Sequence, residues 1–105
     1  MNGGDGVAAE ALSYLDKLKL LVLDFLLGDD VSVYLFGSWA RGEQKRSSDV
    51  DLAIEYQSGY APAHIEALRE AVEESGIPYN VDIVDMRNAS PHILSEIRKD
   101  GVQWK

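Results

Sequence analysis

Apolar residues recur every three to four positions from Val7 to about Leu27. Leu12, Leu15, Leu18, Val22, Phe25 and Leu26 carry the repeat, with Asp16, Lys17, Lys19 and Asp24 between them. That period predicts an amphipathic helix, and Gly28 with Asp29-Asp30 ends it. From Val31 to Phe36 the residues are β-branched and aromatic, as in a strand, with Val31, Val33 and Leu35 on one face and Ser32, Tyr34 and Phe36 on the other. Gly37 to Ser48 is a polar loop with a candidate helical turn around Trp39 to Arg41. Strict alternation resumes from about Asp49 to Tyr56: Val50, Leu52 and Ile54 point one way, Asp49, Asp51 and Ala53 the other. Ser58-Gly59 breaks it. A second long helix is expected from near Pro62 to about Ser75, with Ile65, Leu68 and Val72 as its apolar stripe and Gly76 as its stop. Val81 to Val84 reads as a third strand. Ser90-Pro91 places a cap and a first-turn proline before a third helix whose inner face is Ile93, Leu94 and Ile97, closed by Gly101. Val102 to Trp104 is expected as a short edge strand. The order predicts an α/β (α+β) domain: a small mixed β-sheet with helices on one face.

Composition narrows this further. With 105 residues, 46% of them hydrophobic, the chain suffices for one core without metal or disulfide staples. The expected organisation is a flexible leader over 1–6 and a single domain over 7–105. Cysteine is absent, which excludes a disulfide scaffold, thiolate zinc sites and a cysteine nucleophile. Eighteen acidic residues against ten basic ones leave a formal net charge of −8, which argues against stable nucleic acid binding and against anionic membranes. No basic, apolar leader resembles a signal peptide, and the apolar-rich stretch Leu12 to Leu27 is interrupted by four charges, so a cytoplasmic protein with no membrane association is expected.

The chemistry concentrates between Leu35 and Leu52. A strand delivers the chain to Gly37-Ser38, where glycine lets backbone N–H groups approach an anion and serine adds a hydroxyl. Arg41, Lys45 and Arg46 place three cations within six residues of an otherwise acidic chain, a seat for a polyphosphate. Asp49 and Asp51 follow at i, i+2 on a strand, which puts their Cα atoms roughly 6–7 Å apart on one face. Like charges that close are costly unless a cation sits between them, and Mg²⁺ takes hard oxygen ligands and shares them with phosphates. Asp82, alternating with Val81 and Ile83, offers the third carboxylate of a two-metal site, whereas Asp85 is expected to face the other way. Bound Mg²⁺ also reconciles the acidity with a ligand such as ATP.

Gly37-Ser38, Arg41-Gly42 and Ser48-Asp49-Val50-Asp51-Leu52 together resemble the signature of the DNA polymerase β-type nucleotidyltransferase superfamily. The short helix–strand–loop–strand order is similar to its minimal nucleotidyltransferase (MNT) group, over nearly the whole chain. The resemblance implies the nucleotidyltransferase fold, a triphosphate held by Gly37 and Ser38 with Arg41 and Ser48 as further nucleotide contacts, and two Mg²⁺ ions held by Asp49, Asp51 and Asp82. Asp82 would also help activate the attacking hydroxyl. MNT proteins are often paired with a helical HEPN ribonuclease toxin. The implied function is therefore an antitoxin that transfers AMP from ATP to a tyrosine hydroxyl of that toxin. A tyrosine, with a free pKa of about 10, needs little general-base strength once a metal binds its oxygen.

Plainer readings stand beside these. Lys45 and Arg46 read as a solvated loop, and His64 and His92 as surface residues without a third zinc partner. Tyr56, Tyr60 and Tyr79 either pack in the core or stack on a base. Two other functions compete: a non-catalytic antitoxin that acts by binding alone, and nucleotidyl transfer to a small molecule, for which such a short chain has little room to build a pocket. An edge strand near Val102 leaves homo- or hetero-oligomers open.

Overall fold

A computed structural model describes residues 6–45, 47–57 and 63–105. Helix α1 (Gly6–Phe25) leads into β1 (Val31–Phe36). The four-residue helix α2 (Ser38–Arg41) and a loop then bring the chain to β2 (Val50–Tyr56). Helix α3 (Ala63–Glu74) precedes β3 (Val81–Asp85), and a 3₁₀ turn at Met86–Asn88 leads to α4 (Pro91–Asp100) and β4 (Val102–Gln103). Every expected element is present. The leader up to residue 5, Arg46, Ser58-Gly59, Tyr60 and the start of α3 near Pro62 lie outside the described residues.

The four strands form one mixed sheet in the order β3-β2-β1-β4. Strand β1 runs antiparallel to both β2 and β4, while β2 and β3 are parallel. A parallel step cannot be closed by a hairpin, and α3 supplies the crossover. The alternation in β2 does what its pattern dictates. Val50, Leu52 and Ile54 are buried on one face among Val33 and Leu35 of β1, Leu18 and Val22 of α1 and Leu68 of α3. Arg69 of α3 donates from Nη2 to the Ile83 carbonyl of β3 at 2.7 Å. At the C-terminus, the Trp104 N–H donates to Val33 O at 2.7 Å and the Val33 N–H to Lys105 O at 3.1 Å, so the chain stays paired with β1 beyond β4.

The expectation that the helices share one face needs correction. Helix α4 lies on the opposite face, where Ile97, only 4% exposed, packs with Phe36 and Ala53, flanked by Tyr34, Val84, Met86 and Ile93. The cause is the second face's own composition. Near β1 it is apolar, and the small Ala53 side chain leaves room for an isoleucine from above. The Ser90 hydroxyl accepts the Ile93 N–H at 3.2 Å and Pro91 occupies the first turn, so the helix starts where its cap was expected. Ile97→Ala is expected to cost about 2–4 kcal/mol, read from the midpoint of urea unfolding. A change under about 0.5 kcal/mol would mean that α4 is not anchored there.

Helix α4 covers only part of its face. The rest, where β2 and β3 begin, carries Asp51 and Asp82. Among the described residues, no helix is long and apolar enough to cross a membrane.

Candidate active site

The site is built where β1 ends and β2 and β3 begin. Phe36, the last residue of β1, pairs with Asp51, and Asp51 pairs in register with Asp82 on the parallel neighbour. Residues level on adjacent strands point to the same face, so the two carboxylates stand side by side. Asp51 is half-buried, while Asp82 and Asp49, the residue just before β2, are exposed.

Gly37 follows Phe36 and caps α2 with φ 77° and ψ −156°, a conformation open in practice only to glycine. The backbone here runs directly against Asp51: a Cβ on Gly37 would overlap Asp51 Oδ2. Ser38 opens α2 and is half-buried. The Ala40 and Arg41 N–H groups donate to the Gly37 carbonyl at 3.1 and 3.2 Å, which leaves only those of Ser38 and Trp39 without an intrahelical acceptor. Gly42 closes α2 at φ 71° in the left-handed region.

Trp39, on which the sequence offered no conclusion, turns out to be the anchor of the loop. Its ring is buried in the main core and meets Tyr79 edge-on at 5.2 Å, while Nε1 donates to the Ser48 carbonyl at 3.3 Å. Ser48 is further tied by its own loop: its Oγ accepts the Lys45 N–H at 2.7 Å, and its N–H donates to Lys45 O at 3.0 Å. In this arrangement Ser48 fixes the approach to Asp49. Lys45 is exposed, and Arg46 lies outside the described residues. Tyr79 also borders a shallow recess of about 230 Å³ beside Asp49, with Ser47, Pro78 and Asn80. Tyr56 instead packs toward the main core with Arg87 over its ring at 4.4 Å.

The electrostatics follow from this geometry. Burial pushes the Asp51 carboxyl up from 3.8 to about 6, reinforced by the negative charges of Asp82, Asp49 and Glu96, while Arg41 pulls the other way. Arg41 itself is held protonated, chiefly by its hydrogen bond to Glu43. Asp85 stands apart, as its register suggests. It accepts from the Arg87 N–H at 2.9 Å, pairs with Arg87 Nη2 at 2.7 Å, and is lowered in pKa mainly by that arginine. His64 pairs with Asp29 at 2.9 Å on the surface, and His92 is likewise exposed. Glu96 was missed by sequence reasoning. It becomes a neighbour of Asp51 only because α4 docks on the carboxylate face.

Among the described residues, no three carboxylate or imidazole groups already converge as a metal cluster. The donor set nevertheless fits a hard divalent cation. It consists of carboxylates only, and the central one pays for its position with a raised pKa that a cation would reverse. Gly37 keeps the space above Asp51 Oδ2 free of a side chain.

Residues 29–103 match the family described as Polymerase beta, Nucleotidyltransferase. A Haemophilus influenzae protein named "Probable protein adenylyltransferase MntA" is 37% identical over 70 residues, which cover 67% of this chain and 61% of that protein. The match thus spans about three fifths of that relative's length. Among solved structures, one described as a "putative minimal nucleotidyltransferase" superposes with a TM-score of 0.70 at 28% identity, covering 87% of this chain and 93% of the other. A toxin–antitoxin structure with AMP-PNP superposes with a TM-score of 0.66 at 27% identity, covering 83% and 72%. With the family match spanning the whole sheet and the whole Gly37 to Asp82 constellation, the chain belongs to the Polymerase beta nucleotidyltransferase family.

Proposed function

We propose that this chain is a Mg²⁺-dependent protein adenylyltransferase that moves AMP from ATP onto a tyrosine hydroxyl of a HEPN-type toxin, and so acts as that toxin's antitoxin. The observation that carries the reading is the pair of in-register carboxylates, Asp51 and Asp82, set against a backbone that only glycine can follow. The Haemophilus relative named as an adenylyltransferase and the toxin–antitoxin structure with AMP-PNP support the acceptor and the nucleotide.

Gly37 and Ser38 receive the triphosphate with backbone N–H groups and a hydroxyl, and Arg41 approaches it from the end of α2. Asp49, Asp51 and Asp82 would hold the metal ions. Mg²⁺ bound there would supply charge neutralisation for the polyphosphate and the acceptor oxygen. The phenol oxygen forms a bond to the α-phosphorus, the bond from that phosphorus to the bridging oxygen breaks, and pyrophosphate leaves. Asp82, exposed on the open side of the pair, takes the phenol proton.

The test is direct. The chain is mixed with a HEPN-type toxin, ATP and Mg²⁺, and the toxin is weighed intact. The expected result is a toxin that gains AMP and loses ribonuclease activity. A toxin that is silenced while its mass stays unchanged would overturn the catalytic reading in favour of neutralisation by binding.

A further inference from the structure

Arg41 closes the short helix behind Gly37, and its guanidinium is held from two sides. Its Nε donates to Glu43 Oε1 at 2.9 Å, a contact within one loop. Its Nη1 lies 3.7 Å from Glu96 Oε1 of α4, a contact that joins the end of α2 to α4. Glu96 directly precedes Ile97, whose buried side chain fixes α4 to that face, so its place is set by packing. Both partners are partly shielded, with Arg41 34% and Glu96 31% exposed at the side chain. The second Glu96 oxygen lies 3.4 Å from His92 Nε2. Asp100, one turn further along α4, also acts on the Arg41 charge but is not within ion-pair distance of it.

A fourth carboxylate is at first sight misplaced here. It adds negative charge where a polyanion must dock, and it works with Asp82 and Asp49 against ionisation of Asp51. Its geometry toward Arg41 resolves the conflict. Arginine presents a rigid planar fork whose value in phosphate recognition depends on its orientation, and a long side chain left loose loses rotamer entropy on binding.

We propose that Glu96 is a positioning residue: from α4 it holds the Arg41 guanidinium beside Asp51, oriented for the polyphosphate of an incoming nucleoside triphosphate. Nucleotide recognition then depends on a helix that contributes none of the motif residues. This inference rests on the nucleotidyl-transfer reading above.

Glu96→Gln removes the charge and keeps the shape. The expected result is a KM for ATP raised about two- to fivefold, with a smaller change in kcat, as suits a half-exposed ion pair that acts through another residue. Arg41→Ala raises KM further, and Glu96→Gln adds nothing in that background. Asp100→Asn, on the same side of α4, changes KM less than Glu96→Gln. Tighter nucleotide binding by Glu96→Gln would overturn the proposal, because Glu96 would then only repel phosphate. The same loss with and without Arg41 would overturn it as well. A second readout needs no turnover: the Arg41 Nε–H resonance of the nucleotide-free chain is expected to shift or broaden in Glu96→Gln. If the wild-type chain transfers nothing, the functional reading falls, and an unchanged Arg41 resonance separately overturns the role of Glu96.

Discussion

Replacing Asp51 with asparagine is expected to abolish nucleotidyl transfer while leaving the chain folded. Asp51 is the half-buried member of the carboxylate group, flanked by Asp82 on the neighbouring strand and by the Gly37 backbone. Asparagine keeps the shape and removes the charge that a divalent cation needs. A loss on the order of 10³-fold or more is expected in the mass-shift assay. Stability should move the other way. The folded Asp51 carboxyl titrates at about 6 rather than 3.8, so the folded chain binds its proton more tightly than the unfolded chain does. Folding is therefore penalised fully above about pH 6 and progressively less as pH falls toward 3.8, below which the two states bind that proton alike. Because the group is partly exposed, solvent screening leaves on the order of 1 kcal/mol of this penalty. Asp51→Asn should thus raise the unfolding midpoint at pH 7.5 and flatten its pH dependence between about 6 and 4. By the same logic Mg²⁺ should raise the wild-type Tm at pH 7.5, do so far less at pH 5, and have little effect on the variant. A variant that transfers AMP normally would remove Asp51 from the machinery. One that transfers nothing yet still silences the toxin would show that binding alone protects.

Gly37→Ala is expected to damage fold and chemistry together. The residue sits at φ 77° and ψ −156°, and the new methyl group would overlap Asp51 Oδ2. Backbone strain and the collision together should cost about 2–4 kcal/mol in urea unfolding. Transfer should fall about 100-fold or more, because the collision is relieved only by moving the carboxylate or the loop. Gly42→Ala separates the two causes. Gly42 also has positive φ, at 71°, but a Cβ there meets open space. It should cost only about 1 kcal/mol and retain most of the activity. Equal behaviour of the two variants would mean that the contact with Asp51 is unimportant.

Much of this was legible in the residue pattern, for reasons that can be named. Alternation in Val50 to Tyr56 assigns each side chain a face of the sheet, and Asp51 falls on the face opposite Val50, Leu52 and Ile54. Ser90-Pro91 marks a helix start because cap and proline act locally. What stayed hidden depends on tertiary choice. The stripe of Ile93 and Ile97 reveals that α4 has an inner face, but not which side of the sheet that face meets. Glu96 was invisible for that reason. Trp39 was hidden differently: its role is a hydrogen bond to the carbonyl of Ser48, nine residues away, and a backbone carbonyl leaves no trace in side-chain identity.

The guanidinium of Arg69 on the Ile83 carbonyl bears on how the protein keeps company. Strand β3 ends the sheet, and an open edge of a short, β-branched strand invites pairing with any extended segment that drifts past. A charged side chain already bonded to that strand obstructs such strand addition, a common first step toward aggregates. On the proposed function, in which the chain meets another protein, it is thus guarded against recruiting one by the wrong side.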